Sequence, residues 1–279
     1  MEHLSHRFSQ VDVFTDQPLL GNPVAVVHDA DDLDDGQMAA FARWTNLSET
    51  TFLLRPSTAD ADYRLRIWTP GGELPFAGHP TLGSAHAWLH AGGQPSLADT
   101  VVQECAAGLV RVRRGTGRLA FAAPPLLRSG PVDADDVARI CGALGIAITD
   151  IEDAAWVDNG PGWVAVLLRD AAAVLALQPD LAAFGDLKIG VAGLHPAGGE
   201  AALEVRAFVP SLGVGEDPVT GSLNAGLAQW LCGTRLPSAY VAAQGAALGR
   251  RGRVHVHQDE DAVWIGGDTR TTVAGDVFL

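Results

Sequence analysis

The chain has 279 residues, 47% of them hydrophobic, which is enough for two domains with sizeable cores. Its formal charge is −14 with only 19 Lys and Arg residues, too few for the basic surface that binds a nucleic-acid backbone. No apolar stretch approaches the length of a membrane span. The first seven residues have neither the basic nor the apolar region of a secretory signal. We therefore expect a soluble, cytoplasmic protein without nucleic-acid or membrane partners.

The first half of the chain combines short strands with two helices. Runs of alternating or β-branched residues predict strands at 8–14, 24–27, 50–54, 63–68, 100–104, 109–113 and 119–122. Asp34 or Asp35 can cap a first helix that runs through Trp44. A second helix is predicted to have Pro80 in its first turn and to end near Gly92.

The second half repeats this plan after a Pro- and Gly-rich segment at 124–131, the best candidate for a linker. A helix capped by Asp133 is predicted first, and a second helix follows Gly221. Strands are predicted at 163–168, 203–209, 254–257, 263–266 and 273–279. Many short strands with one long helix per half indicate an α+β fold, in which each sheet curls around its own central helix.

An internal repeat relates the two halves. In each copy a strand carries an arginine, an aromatic residue and a proline at alternate positions: Arg66, Trp68 and Pro70, then Arg206, Phe208 and Pro210. Each strand leads through a Gly-rich loop to a helix that ends in Trp-Leu. The offset is too long for a stacked solenoid repeat. It indicates two homologous domains, and two helix N-termini facing one cleft would bind a small anion.

We place the predicted domains at residues 1–124 and 125–267, with the active site in the cleft between them. The C-terminal strand, 268–279, is a candidate to return to the first domain.

Two carboxylates and a histidine are candidates for acid–base chemistry. Glu49 directly precedes an apolar strand, and Asp217 lies in the loop leading to the second repeat helix. On residue type alone, the first is more often an exposed strand-start residue and the second a loop or capping residue. In an apolar cleft, desolvation would suit Glu49 to proton transfer near neutral pH. Glu216 is a lower-ranked rival of Asp217. At the start of the first repeat helix, His79 is expected to be neutral.

Gly78, Gly221 and Ser222 lie where the two repeat helices begin. Helix N-termini present unpaired N–H groups and partial positive charge, and glycine allows a ligand to approach the backbone closely. We therefore predict that these residues bind a substrate carboxylate. Ordinary N-capping by Ser222 is the alternative interpretation.

Metal and nucleotide cofactors have little support in the sequence. His79, His86 and His90 could share one helix face, but no HExxH pattern accompanies them. No Walker loop or convincing GxGxxG occurs, so we expect no cofactor. The three cysteines are isolated and are expected to be free thiols.

Several motifs, in order along nearly the whole chain, together resemble those of the phenazine-biosynthesis PhzF-like family. They are Asp-Val-Phe-Thr at 12–15, Gly-Asn-Pro-Val-Ala-Val at 21–26, Ser-Glu-Thr-Thr-Phe at 48–52, Phe-Ala-Gly-His-Pro-Thr at 76–81, Glu-Asp-Pro-Val-Thr-Gly-Ser at 216–222, and Gln-Gly followed by Leu-Gly-Arg between 244 and 250. The resemblance implies a diaminopimelate-epimerase-like fold, a homodimer and a cofactor-independent isomerase. It assigns proton transfer to Glu49 and makes Asp217 a candidate acid of the site.

Amino-acid epimerases of this fold have a cysteine at each of two positions that correspond to Gly78 and Gly221 here. Two-thiol epimerisation is therefore excluded, whereas a 1,3 proton shift by a single carboxylate is not. We predict an isomerase of small carboxylates, similar to the family's trans-2,3-dihydro-3-hydroxyanthranilate isomerase. Its catalytic residues would be Glu49, Asp217 and His79. The alternative is a non-catalytic protein that binds a small acid in the same cleft.

Overall fold

The computed structural model describes residues 5–115 and 117–279. Residues 1–4, part of the segment inspected above for a secretory signal, lie outside the described residues. The chain divides into two compact units, which are Met1–Ala122 with Gly266–Leu279, and Ala123–Ile265. Within the described ranges, no helix is both long and apolar enough to cross a membrane.

Strands make up most of the regular structure. They are β1 Ser5–Val13, β2 Asn22–Val27, β3 Thr50–Leu54, β4 Tyr63–Thr69, β5 Gly72–Leu74, β6 Thr100–Cys105, β7 Gly108–Arg114, β8 Leu119–Ala122, β9 Arg128–Pro131, β10 Ile151–Asp158, β11 Trp163–Leu168, β12 Lys188–Leu194, β13 Leu203–Val209, β14 Val214–Asp217, β15 Ala239–Gln244, β16 Gly252–Gln258, β17 Val263–Gly267 and β18 Thr269–Phe278. The helices are α1 Asp35–Thr45, α2 Gly78–His90, α3 Ala134–Leu144, α4 Ala171–Ala176 and α5 Gly221–Leu231. Short 3₁₀ turns cover Ile148–Asp150, Leu181–Phe184, Pro210–Leu212 and Ala246–Leu248.

The strands of the two units pair in the same way. In the first unit, β1 is antiparallel to β2, β2 parallel to β3, β3 antiparallel to β4, and β4 parallel to β6. In the second, β10 is antiparallel to β11, β11 parallel to β12, β12 antiparallel to β13, and β13 parallel to β15. A closing strand pairs antiparallel with the first strand of each series, β18 with β1 and β9 with β10. The internal repeat is therefore a repeat of topology.

The repeat helices α2 and α5 are the buried helices of the two units. Every residue of α2 from Gly78 to Ala87 is buried, and the helix contacts β1, β2, β3 and β8. Helix α5 is likewise buried along most of its length and contacts β10, β11 and β16. A helix with no exposed face needs protein around it on all sides. Each unit is thus a mixed sheet around a central helix, and the predicted α+β class is confirmed.

Local capping explains where α1 and α3 begin and end. The Asp34 carboxylate accepts a hydrogen bond from the backbone N–H of Gln37, whose side chain accepts one from the Asp34 N–H, which is a capping box. Asp133 caps α3 in the predicted manner. The left-handed residues Asn46 and Gly145 end the two helices.

The structure contains several elements beyond those predicted from the sequence: β5, β9, β10, β12, β14, β15 and α4. Within the predicted linker, Arg128–Pro131 forms β9, because its backbone pairs with β10 and the Arg128 guanidinium lies over the Trp156 ring. Strand β12 contains Gly190 and Gly193, and glycine inside a strand weakens the strand pattern. Gly190 is needed there, since a Cβ at that position would lie 2.3 Å from the Leu223 side chain of α5.

Candidate active site

The six predicted site residues fall into two groups, one in each unit. Glu49, Gly78 and His79 lie together in the first unit, where the coil before β3 meets the start of α2. Asp217, Gly221 and Ser222 lie together in the second unit, between the end of β14 and the first turn of α5.

The pair in the first unit is a carboxylate against an imidazole. Oε2 of Glu49 lies 3.4 Å from Nε2 of His79, and their side chains are 15% and 5% exposed. The distance is within ion-pair range, but the geometry is not that of a formed hydrogen bond. Strand β3 determines this position: Thr51, two residues after Glu49, bonds to Ser84 of α2, so alternate residues of the strand face that helix.

His79 is held neutral by its burial. Burial lowers its pKa to about 3, and a hydrogen bond to the backbone at Pro23 opposes this shift in part. The cause is therefore desolvation, whereas the sequence argument relied on the helix N-terminus. On the other side of the ring, Nδ2 of Asn22 lies 3.3 Å from Nδ1 of His79. The other ring nitrogen, Nε2, is the one that faces Glu49.

Both repeat helices begin without a side-chain cap. Ala77 and Thr220 are the N-cap residues of α2 and α5, and neither accepts a capping hydrogen bond through its side chain. The first N–H groups of each helix are therefore not satisfied by a cap and can bind an anion. Gly78 and Gly221, the first residues of the two helices, are both buried.

The start of α5 is held by Gln244, at the end of β15. Its Oε1 accepts hydrogen bonds from the Thr220 backbone N–H at 3.0 Å and from the Asn224 amide at 2.9 Å. Its Nε2 donates to the Asp217 carbonyl and to the Thr220 hydroxyl. That hydroxyl in turn donates to Oδ2 of Asp217 at 2.6 Å. The Asp217 carboxylate is thereby oriented by the same network that positions the helix.

Ser222 does not cap α5. Its hydroxyl accepts a hydrogen bond of 3.0 Å from the indole Nε1 of Trp163, and its carbonyl accepts one from the Asn159 amide. The alternative interpretation of this residue as an N-cap is therefore wrong. Trp163 and Asn159 were not among the predicted site residues, because they contact Ser222 from 59 and 63 residues away. The Gly-rich turn at 160–162 between them was the available signal.

Glu216, the rival of Asp217, has a structural role. Arg206 binds both of its carboxylate oxygens, at 2.9 and 2.7 Å. The repeat supplies the same arrangement in the first unit, where Arg66 binds both oxygens of Glu73. In each unit this pair ties the Arg strand to the hairpin strand that follows it.

The helix-face histidines take part in separate contacts. The ring nitrogens of His86 lie 2.9 and 3.0 Å from the hydroxyls of Thr269 and Thr271 in β18. Burial first, and the neighbouring His90 second, lower the pKa of His86 to about 4. His79 contacts Asn22 and Glu49 instead. Across the described ranges, no group of three or more His, Cys, Asp or Glu side chains could hold a metal ion.

The sequence pattern of the phenazine biosynthesis-like protein family matches residues 11–276, nearly the whole chain. The chain belongs to this family. The match includes both candidate groups and the two central helices. The resemblance found in the motifs is therefore confirmed.

Individual relatives of this family align along their full length. Trans-2,3-dihydro-3-hydroxyanthranilate isomerase of Pseudomonas aeruginosa is 35% identical, covering 98% of this chain and 100% of its own. Antisense-enhancing sequence 1 of Schizosaccharomyces pombe is also 35% identical, over 98% of this chain and 99% of its own. A crystal structure of a PhzF family protein from Enterococcus faecalis superimposes with a TM-score of 0.82 at 27% identity, covering 99% and 100% of the two chains.

The catalytic class follows from these relatives. Curated relatives at 35% and 39% identity are named isomerases. This member of the family is an isomerase.

Proposed function

We propose that the protein is a cofactor-independent isomerase that moves a proton between two carbons of a small carboxylate substrate. Glu49 is the group that carries the proton. The proposal rests on one observation above all: a shielded carboxylate lies against a neutral imidazole at the uncapped start of a helix. Trans-2,3-dihydro-3-hydroxyanthranilate, the substrate in the names of several relatives, is the first candidate.

The proposed reaction is a proton shift without change of oxidation state. The Glu49 carboxylate takes a proton from one carbon, and the electron pair of that C–H bond moves into an adjacent double bond. The same carboxyl group then returns the proton to the far carbon of the rearranged system, which restores the carboxylate. His79, neutral at physiological pH, faces Glu49 through Nε2 and there forms a hydrogen bond with the carboxyl group or with the substrate.

The substrate carboxylate is proposed to bind through the helix starts. Gly78, Gly221 and the Ser222 hydroxyl supply N–H and O–H donors without a bulky side chain. Asp217 would accept a hydrogen bond from a substrate hydroxyl or amine. The cysteines lie elsewhere, in β6, in α3 and after α5, so a thiol-based route finds no group at either helix start.

The test is turnover of trans-2,3-dihydro-3-hydroxyanthranilate in D2O, followed by NMR. The wild-type protein should shift the double bond of this substrate. If the transferred proton exchanges with solvent, deuterium should appear in the product. Glu49→Gln should lower kcat by about 100-fold or more, because general acid–base catalysis contributes at least that factor. Glu260→Gln, at an exposed position, is the matched control and should keep wild-type turnover. Full turnover by Glu49→Gln would rule out proton transfer by this residue.

Two further elements of the proposal have separate tests. Cofactor independence predicts unchanged turnover after exhaustive dialysis against EDTA and gel filtration. The homodimer implied by the family predicts twice the mass of the 29.1 kDa chain in sedimentation equilibrium.

A further inference from the structure

Lys188 is the only lysine in the chain, which has 18 arginines beside it. It is the first residue of β12, and it pairs in register with Trp163 at the start of β11. Neither the sequence motifs nor the proposed reaction assigns it a role.

The repeat places Lys188 at the position equivalent to Glu49. The aromatic residues Trp68 and Phe208 are equivalent, because each lies two residues after the repeat arginine. Trp68 pairs with Thr50, and Phe208 pairs with Ile189. The residues directly before these two partners are Glu49 and Lys188.

The two equivalent residues also face equivalent helices. Gly190, two residues after Lys188, lies against Leu223 of α5. Because alternate residues of a strand share a face, Lys188 is on the α5 side of β12. Its ammonium nitrogen lies 3.6 Å from the position that a Cβ on Gly162 would occupy. Gly162 directly precedes Trp163, whose indole donates a hydrogen bond to the Ser222 hydroxyl.

Within the described part of the protein, the charge of Lys188 acts weakly on the carboxylate of Asp186, whose pKa it helps to lower after Arg139. Its ammonium has no hydrogen bond or ion pair with any described residue. The nearest acidic residue in sequence, Asp186, is bound by Arg139 at 2.8 Å. A half-buried cation that forms no ion pair with a described carboxylate, on the side of β12 that faces α5, attracts an anion.

We propose that Lys188 binds the carboxylate of the substrate, together with the Ser222 hydroxyl, and so makes the enzyme selective for anionic substrates. The inference rests on the proposed function for the identity of the ligand. The repeat then provides two chemically opposite groups at equivalent places: a carboxylate that moves the proton and an ammonium that holds the substrate's charge. If both copies of the repeat had kept the same residue at this position, the site would have only one of these two kinds of group.

The test compares two small probes by isothermal titration calorimetry: anthranilate, and its neutral counterpart anthranilamide. The wild-type protein should bind anthranilate at least about tenfold more tightly, the factor expected for a hydrogen bond to a charged group. Lys188→Met should weaken anthranilate binding about tenfold and change anthranilamide binding less than twofold. Lys188→Arg should keep most of the preference. Arg169→Met, which removes one exposed positive charge of the same unit, should leave both affinities unchanged.

Two results would overturn the inference: a wild-type protein that does not prefer anthranilate, or a Lys188→Met variant that binds both probes as wild type does or loses both equally. Thermal unfolding of each variant verifies that it is folded. Binding needs no proton transfer, so Glu49→Gln should retain the anthranilate preference. Failure of the isomerase proposal and failure of the Lys188 proposal are thus separate outcomes.

Discussion

Arg206 and Glu216 form a two-point ion pair that is almost fully buried, with side chains 7% and 10% exposed. The remaining guanidinium nitrogen donates to the backbone carbonyls of Val174 and Leu177, so the arginine is fully engaged. The equivalent pair in the first unit, Arg66 with Glu73, has the same geometry, but its glutamate is 34% exposed. The repeat therefore contains one interaction at two depths of burial.

Removing the carboxylate should cost much more in the second unit than in the first. Glu216→Gln leaves the Arg206 charge buried without compensation, and we expect a loss of about 3–5 kcal/mol in the free energy of unfolding. Glu73→Gln should lower the free energy of unfolding by about 1 kcal/mol or less, because Arg66 keeps its ion pair with Asp35 and its contact with water. Urea unfolding of both variants measures the difference. Equal losses would contradict the assigned difference in burial.

Features that depend on neighbours in sequence were predictable. Asp34 and Asp133 cap helices through residues three positions away, and the apolar alternation of β3 and β4 is visible in the chain. The repeat was recognisable because the Arg66 and Arg206 strands carry the same spaced residues. These signals sufficed for the fold class, whereas Glu49 was assigned to the site through its match to the family motif.

Features that depend on register were not predictable. The equivalence of Lys188 with Glu49 requires the register of β12 with β13, and β12 is a strand that the sequence analysis does not predict. The contact between Trp163 and Ser222 joins residues 59 positions apart. Gln244 belongs to a recognisable motif, but that motif does not reveal the four hydrogen bonds by which Gln244 fixes the start of α5. One sequence contains no local trace of such contacts.

His79 predicts a loss of stability in acid. Its pKa is about 3 in the folded state and near 6.5 when unfolded, because burial disfavours the imidazolium. Between these values the unfolded state binds a proton that the folded state does not. The free energy of unfolding should therefore fall as the pH is lowered from 6.5, by up to about 1.4 kcal/mol per pH unit from this residue. His28 and His86, whose pKa values burial lowers to about 4, act in the same direction.

The His79 contribution can be isolated as a slope. His79→Gln has no titratable group at this position, so its free energy of unfolding should fall less steeply than that of the wild type between pH 6 and 4. The difference between the two slopes should correspond to the uptake of about one proton on unfolding. Gln258→Ala, at an exposed position of β16 with no titratable group, should keep the wild-type slope. Urea unfolding at several pH values measures both. A wild-type slope in His79→Gln would mean that the imidazole can be protonated in place.

Gly226 marks the closest approach of α5 to its sheet. A Cβ at this position would lie 2.4 Å from the carbonyl oxygen of Val157 in β10, which is backbone and cannot turn aside. Alanine favours a helix by about 1 kcal/mol over glycine. Overpacking should outweigh this gain, and we expect Gly226→Ala to destabilise the protein by about 1–3 kcal/mol. Gly142 of α3 has no atom within 4 Å of its Cβ position, so Gly142→Ala should stabilise by about 0.5–1 kcal/mol. Thermal unfolding should move the two variants in opposite directions; a gain in both would mean that α5 can withdraw from β10 at little cost.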